Sequence, residues 1–138
     1  MTHDEYRRFL TERPYTMTVA TAQANGSPHV APVWFDVDGE TIVFTTWWKS
    51  VKARNIQRDP RVCLCVNDDT PPFSFATIEG HAQVIEDLDE LRRWAARIGG
   101  KYMGSERADE YGERNGVAGE LLVRVTPTKI VAEKNIAE

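Results

Sequence analysis

The residues best suited to chemistry lie in one stretch, Phe44–Asn55, which predicts the end of a strand, a turn and the start of a helix. Ser50 occupies the N-cap position, where its hydroxyl can accept from free backbone N–H groups. Lys49 and Lys52 flank the positive end of the helix dipole, where an uncompensated cation costs about 0.3–1 kcal/mol. A bound anion reverses that cost, so we interpret the turn as a phosphate site. The alternative is a solvated helix start that binds nothing.

The charge around this turn differs from the charge of the whole chain. The 138 residues carry a net charge of −4, which argues against a general nucleic-acid surface. The turn and the residues after it nevertheless form a basic strip opposed only by Asp59, and its members are Lys49, Lys52, Arg54, Arg58 and Arg61. Such a strip suits a small polyanion better than a duplex. Within it, Arg54 and Arg58 could hold an acidic tail or could be solvated helix surface, and for Arg58 we favour solvated surface.

Ordinary catalytic groups are scarce in the rest of the chain. The three histidines are scattered, no hydrolase, P-loop or dinucleotide-binding motif occurs, and we predict no metal site and assign no catalytic residue. Where side chains do not supply the chemistry, a bound cofactor often does. Trp34, Trp47 and Trp48 could wall a flat ring beside the anion turn, or could instead be core or dimer-interface residues.

The elements that would position these residues are mostly strands. Periodicity and turn signals predict helices over 2–12, 50–58 and 87–103, and strands over 16–21, 28–37, 41–46, 61–67, 73–85, 121–125 and 130–133. The first three strands, joined by tight turns, predict an antiparallel meander. Residues 104–119 remain open between a short helix and a loop. We predict a single domain over 1–138, a mainly β (α+β) barrel with six to seven mostly antiparallel strands and two to four helices.

The two cysteines bear on the compartment. Cys63 and Cys65 lie within an apolar run, and their spacing suits neither a disulfide nor a zinc site. We therefore expect buried, reduced thiols and a cytoplasmic protein. The sequence contains no secretory signal and no apolar run long enough to span a membrane, so we predict no membrane association.

Taken together, the motifs resemble a known family. Gly26–Phe35, Phe44-Thr45-Thr46, Ser50-x-Lys52-x-Arg54-Asn55, Arg58–Val62 and Ile78-Glu79-Gly80-x-Ala82 follow the order and spacing of the split β-barrel flavin and deazaflavin oxidoreductases. That group is related to pyridoxamine 5′-phosphate oxidase. The resemblance covers about residues 14–86, and it implies the FMN-binding split-barrel fold.

The resemblance also implies a homodimer with two cofactor sites at the interface. The ring would lie against Ala31–Phe35 and Thr45-Thr46, and the phosphate would be bound at Ser50 and Lys52, in agreement with the dipole argument. The cofactor-binding residues expected on this basis are Ala31, Pro32, Val33, Trp34, Phe35, Thr45, Thr46, Lys49, Ser50, Val51, Lys52 and Arg54, with Phe75 and Ile78 contributed by the partner subunit.

One departure from the family pattern bears on the cofactor. The flavin mononucleotide (FMN) oxidases carry an Arg and a Lys on the second strand, where this chain has Ala31 and Asp36. Losing both cations weakens binding of a dianionic phosphate. The remaining motifs look more like the branch that uses coenzyme F420, a deazaflavin with a phosphodiester and an oligoglutamate tail. We predict an F420-dependent oxidoreductase that passes a hydride to an unsaturated small molecule. The alternatives are an FMN enzyme of the same fold and a non-catalytic F420- or tetrapyrrole-binding protein.

Overall fold

The computed structural model describes residues 1–138, which form one seven-stranded sheet and four α-helices. The strands are β1 Met17–Ala22, β2 Pro28–Val33, β3 Asp36–Asp38, β4 Thr41–Trp47, β5 Arg61–Asp68, β6 Ser74–Ile85 and β7 Glu120–Glu133. The helices are α1 His3–Glu12, α2 Val51–Arg58, α3 Leu88–Met103 and α4 Ala108–Asn115, with a 3₁₀ turn at Ser105–Arg107. A mainly β, α+β fold is confirmed, and none of the helices is long and apolar enough to cross a membrane.

The sheet order, β2-β1-β5-β6-β7-β4-β3, shows that the predicted meander is wrong. The expected strand over 28–37 breaks at Trp34-Phe35, so β2 pairs with β1 while β3 pairs with β4 at the other end of the strand order. The break has a local cause in α3. The Phe35 N–H donates to the Tyr102 hydroxyl at 3.2 Å, and the Phe35 carbonyl accepts from Lys101 Nζ at 3.1 Å. Helix α3 therefore takes the hydrogen bonds that would continue the strand.

The end of the chain forms one strand where two were predicted. β7 continues through Pro127 because β6 accommodates it with a register shift between Glu79 and Gly80. A Cβ on Gly80 would lie 2.7 Å from the Thr126 carbonyl oxygen, so the close approach requires glycine. This irregularity at Gly80 lets the 14-residue β7 pair with both β6 and β4.

Side-chain caps mark the starts of α1 and α3. Thr2 and Glu5 form a capping box at α1, and the Asp87 carboxylate caps α3 by accepting from two backbone N–H groups. Helix α3 continues through Gly99 because the missing side chain lets Tyr111 approach; a Cβ there would lie 2.2 Å from the Tyr111 Cβ. The segment left open over 104–119 contains α4, which packs on α3 through this contact.

The main hydrophobic core lies between the sheet and helices α1 and α2, and its fully buried members include Met17, Val19, Phe35, Phe44, Leu64 and Ile78. A smaller cluster joins α3 to the sheet through Val43, Leu91, Trp94 and Leu122. The expectation of buried thiols is wrong. Cys63 is exposed and Cys65 half-buried, because both lie on the outer face of β5 while Val62, Leu64 and Val66 face the core. The predicted cytoplasmic location is therefore no longer supported by the argument from buried thiols.

Candidate functional site

The anion turn, Trp48–Ser50, connects β4 to α2 and is built around Ser50. Its hydroxyl accepts from the Ala53 N–H at 3.2 Å and lies 2.8 Å from the Thr46 hydroxyl. When Thr46 donates in that contact, the Ser50 O–H remains free to donate to an anion. The backbone N–H groups of Val51 and Lys52 have no acceptor within the protein. The start of α2 therefore offers two backbone donors and one hydroxyl to a ligand.

The basic strip contains two classes of cation. Arg61 pairs with Asp59 at 2.8 Å, and Arg58 donates to the Ala22 carbonyl and the Asn55 side chain, which fastens α2 to β1. Arg58 is thus a structural contact as well as helix surface. Lys49, Lys52 and Arg54 make no ion pair. The cations without a partner are the three that belong to the predicted site.

Lys52 differs from the other two free cations in its burial. Lys49 is exposed above the Trp48 ring, 5.1 Å from its centroid, and Arg54 is exposed on α2. Lys52 is half-buried, and burial lowers the pKa of its ammonium group, while the charge of Glu120 opposes that shift. A half-buried cation without a hydrogen-bonded carboxylate is costly unless an anion joins it.

A pocket of about 210 Å³ adjoins this lysine, and we call it the Lys52 pocket. Its lining combines five of the predicted site residues with three from the helices: Pro32, Val33, Trp34, Thr45, Lys52, Ala95, Ile98 and Asn115. The end of β2, the middle of β4 and Lys52 at the start of α2 therefore border one cavity, whose lining does not include Ser50. Helices α3 and α4 close its other side.

Trp34 is held in the wall of the Lys52 pocket by the two helices. Its ring stacks on Tyr102 with the centroids 4.9 Å apart and the planes at 3°, and Tyr111 lies tilted at 5.8 Å. These contacts orient the indole in addition to burying it. Trp47 and Trp48 are instead 45% and 47% exposed and lie beside Gly119, so they form an aromatic surface outside the pocket.

Several predicted site residues lie away from the pocket lining. Phe35 and Ile78 have fully buried side chains in the main core, and the backbone of Phe35 is already bonded to α3. Their side chains are thus unavailable to a ligand or to a second subunit. Phe75 is half-buried on β6, and Ala31 is half-buried on the inner face of β2. Thr46 is buried and acts on the site through Ser50.

The site also contains residues that the sequence analysis missed. Ala95 and Ile98 belong to the apolar face of α3, and the helical spacing marks that face without showing that part of it lines a cavity. Asn115, at the end of α4, comes from the segment left open and lines the pocket. Glu120, at the start of β7, lines a different groove, and its charge acts on Lys52. No motif in the sequence marks either of them.

The structure places the two positions where the FMN oxidases carry cations. Ala31 is on β2, but Asp36 is on β3, beyond the break, where it accepts from the Val37 N–H and lies 3.9 Å from Arg97. Asp36 therefore belongs to a contact with α3. No cation stands on β2, whose residues are Pro28–Val33.

Comparison with known proteins gives a consistent result. The pyridoxamine 5′-phosphate oxidase family model matches residues 2–132. An F420H2-dependent biliverdin reductase of Mycobacterium tuberculosis (strain CDC 1551 / Oshkosh) is 33% identical over 101 residues, which are 72% of this chain and 71% of that protein.

Two solved structures are similar along most of their length. A conserved hypothetical protein of Mycobacterium tuberculosis has a TM-score of 0.85 at 27% identity, covering 98% of this chain and 86% of that one. A structure described as an F420 reductase has a TM-score of 0.72 at 28% identity, covering 90% and 94%. The names of two of these proteins state a reductase activity.

Proposed function

Because the chain belongs to the pyridoxamine 5′-phosphate oxidase family, we propose that it is an F420-dependent oxidoreductase that reduces an unsaturated small molecule. The observation that carries this proposal is the environment of Lys52. A half-buried ammonium group without an ion-pair partner stands beside two free backbone donors and a cavity. The names of two relatives, an F420H2-dependent biliverdin reductase and an F420 reductase, support the choice of deazaflavin.

The residues present fit such a cofactor in both charge and shape. Ser50, Val51 and Lys52 would hold a phosphodiester through one hydroxyl, two backbone N–H groups and one ammonium group. Lys49 and Arg54, exposed and free of ion pairs, would attract the carboxylates of the tail. The ring side of the site is mostly apolar and comes from the lining that β2 and β4 contribute, namely Pro32, Val33, Trp34 and Thr45.

The protein contributes placement and electrostatics to the reaction. When bound, the reduced deazaflavin supplies a hydride to the substrate. Thr45 and the end of β2 would orient the ring, while Trp34, held by Tyr102, would exclude water from one side. None of the residues that line the Lys52 pocket is an ordinary acid near neutral pH, so we assign the proton to solvent or to a hydroxyl.

We propose a homodimer that buries the outer face of the sheet. This face carries Val30, which is 64% exposed, together with Val131 of β7 and the two cysteine side chains of β5. Exposed apolar side chains that share one face of a sheet are typical of an interface between subunits. A second subunit there would enlarge the small Lys52 pocket, and Phe75 is the residue that we expect it to contribute.

The relatives also suggest a first substrate to test. Biliverdin is a large conjugated tetrapyrrole, and it is the substrate in the name of the relative that is 33% identical. The exposed surface of Trp47 and Trp48 beside the anion turn offers a flat apolar area for such a molecule. We therefore propose a conjugated tetrapyrrole as the substrate class.

The decisive experiment is a pair of fluorescence titrations with F420 and FMN, followed by turnover of reduced F420 with biliverdin. The proposal predicts tighter binding of F420 and oxidation of the reduced cofactor that depends on substrate. Tight binding without turnover would instead identify a carrier. Tighter binding of FMN would identify a flavin enzyme of the same fold.

A further inference from the structure

Glu120 is the charged group that the proposed cofactor site does not use. It is the first residue of β7, paired in register with Trp47 at the end of β4. The Trp48 N–H donates to the Gly119 carbonyl at 2.9 Å, which fastens this end of β7 to the anion turn. The Glu120 carboxylate is half-buried and accepts no hydrogen bond from any side chain, and it forms no ion pair.

Glu120 and Lys52 influence each other without a direct ion pair. Burial raises the pKa of Glu120 and lowers that of Lys52, and the charge of each partner opposes the shift of the other. Since water screens neither group fully, an anion placed at Lys52 would also experience the charge of Glu120. The site therefore combines an attractive cation with a carboxylate that repels excess negative charge.

We propose that Glu120 determines which phosphate the anion turn accepts, favouring a singly charged phosphodiester over a phosphomonoester. This inference rests on the proposed function. A phosphodiester such as that of F420 carries one negative charge, whereas the terminal phosphate of FMN carries about −1.5 to −2 at neutral pH. Repulsion by a fixed charge is proportional to the charge of the ligand, so the carboxylate penalises the monoester up to about twice as strongly.

This selection would add to the effect of the missing cations on β2. Ala31 leaves a phosphomonoester without an additional positive partner, while Glu120 adds a negative charge at the start of β7. Without a ligand, the same carboxylate helps Lys52 to remain protonated, because it raises the pKa of that group. Glu120 thus acts both on the free site and on its choice of ligand.

The test is the substitution Glu120→Gln, which removes the charge and keeps the size of the side chain. Dissociation constants for F420 and FMN are measured by fluorescence titration with the wild-type protein and the variant. We expect the affinity for FMN to rise about fivefold to tenfold relative to that for F420. Glu113→Gln is the matched control, because Glu113 is exposed on α4, whereas Glu120 is half-buried at the end of β7 that is hydrogen-bonded to the anion turn. It should leave the ratio unchanged.

The outcomes separate this inference from the proposed function. If the wild-type protein prefers F420 but Glu120→Gln leaves the ratio of affinities unchanged, the role of Glu120 is overturned and the proposed function stands. If the wild-type protein binds neither cofactor, or prefers FMN, both are overturned. Glu120→Ser, read in parallel with a thermal unfolding curve, gives the same answer should Glu120→Gln fold poorly.

Discussion

Arg124 and Lys52 are both cations in largely buried surroundings, yet the protein treats them in opposite ways. The Arg124 side chain is 19% exposed and donates to Asp38 at 2.6 Å, to Thr41 at 2.7 Å and to Glu90 at 3.0 Å. It joins β7, the β3–β4 turn and α3. Lys52 has no acceptor at all. The contrast distinguishes a charge that stabilises the fold from a charge that is available to a ligand.

The largest effect that we expect comes from breaking the satisfied network. Arg124→Met leaves Asp38 and Glu90 without their shared partner and should lower the free energy of unfolding by about 2 kcal/mol. Denaturant unfolding measures this change. Arg7→Met is the control, because its ion pair with Glu40 is exposed and should contribute within about 0.5 kcal/mol. Equal losses in the two variants would mean that burial does not strengthen the Arg124 network.

The opposite behaviour is expected at the anion turn. Lys52→Ala should weaken F420 binding about tenfold or more, because one charge-assisted contact is lost, and it should leave the unfolding midpoint nearly unchanged. Fluorescence titration and thermal unfolding measure the two quantities. Lys49→Ala, which removes an exposed cation from the same turn, should produce a smaller loss of affinity. An unchanged affinity in Lys52→Ala would show that the phosphate binds elsewhere.

Adding a cation to β2 should change the relative affinity of the protein for the two cofactors. Ala31→Arg adds a cation to β2, where the FMN oxidases carry one, and should improve binding of FMN relative to F420 several-fold. The same paired titrations measure the ratio. Ala31→Gln adds a side chain of similar length without charge, so a comparable improvement in that variant would refute the electrostatic explanation.

Lys101 provides an intermediate case between Arg124 and Lys52. Its ammonium group donates to the carbonyls of Leu10 and Phe35 and to no carboxylate, and burial lowers its pKa to about 8. Because the unfolded chain retains the proton up to about pH 10.4, this group makes the free energy of unfolding rise with pH between about 8 and 10.4. Lys101→Met should flatten that rise in denaturant unfolding at several pH values. If the free energy of unfolding depends on pH in the same way in the wild-type protein and in the variant, the lowered pKa of Lys101 is contradicted.

Local signals in the sequence predicted the helices and strands, but they could not predict contacts between residues far apart in the chain. The N-cap at Ser50 and the alternation of β5 placed a helix start and a strand nearly to the residue. The break at Phe35 was missed because its cause is a pair of hydrogen bonds from α3, some 66 residues away in the chain. The alternation along β5 also says which side chains share a face without saying which face meets the core.

The same limit applies to the site. The helix-dipole argument identified Lys52 and Ser50 because cap and charge are adjacent in the sequence. Asn115 and Glu120 reach the site only through the packing of α4 on α3 and the register of β7 with β4, neither of which is encoded in a local pattern. Phe35 was expected at the cofactor because of the family resemblance, but the chain turns its side chain into the core.

The two-residue link between β2 and β3 has a consequence for self-association. Outermost strands present unpaired backbone groups that can recruit strands from other molecules and seed fibrils. Here the two outermost strands are separated only by Trp34-Phe35, so their adjoining ends lie within about 11 Å of one another. The sheet must curl until its two outermost strands approach each other. Little straight sheet edge therefore remains with which a strand of another molecule could pair.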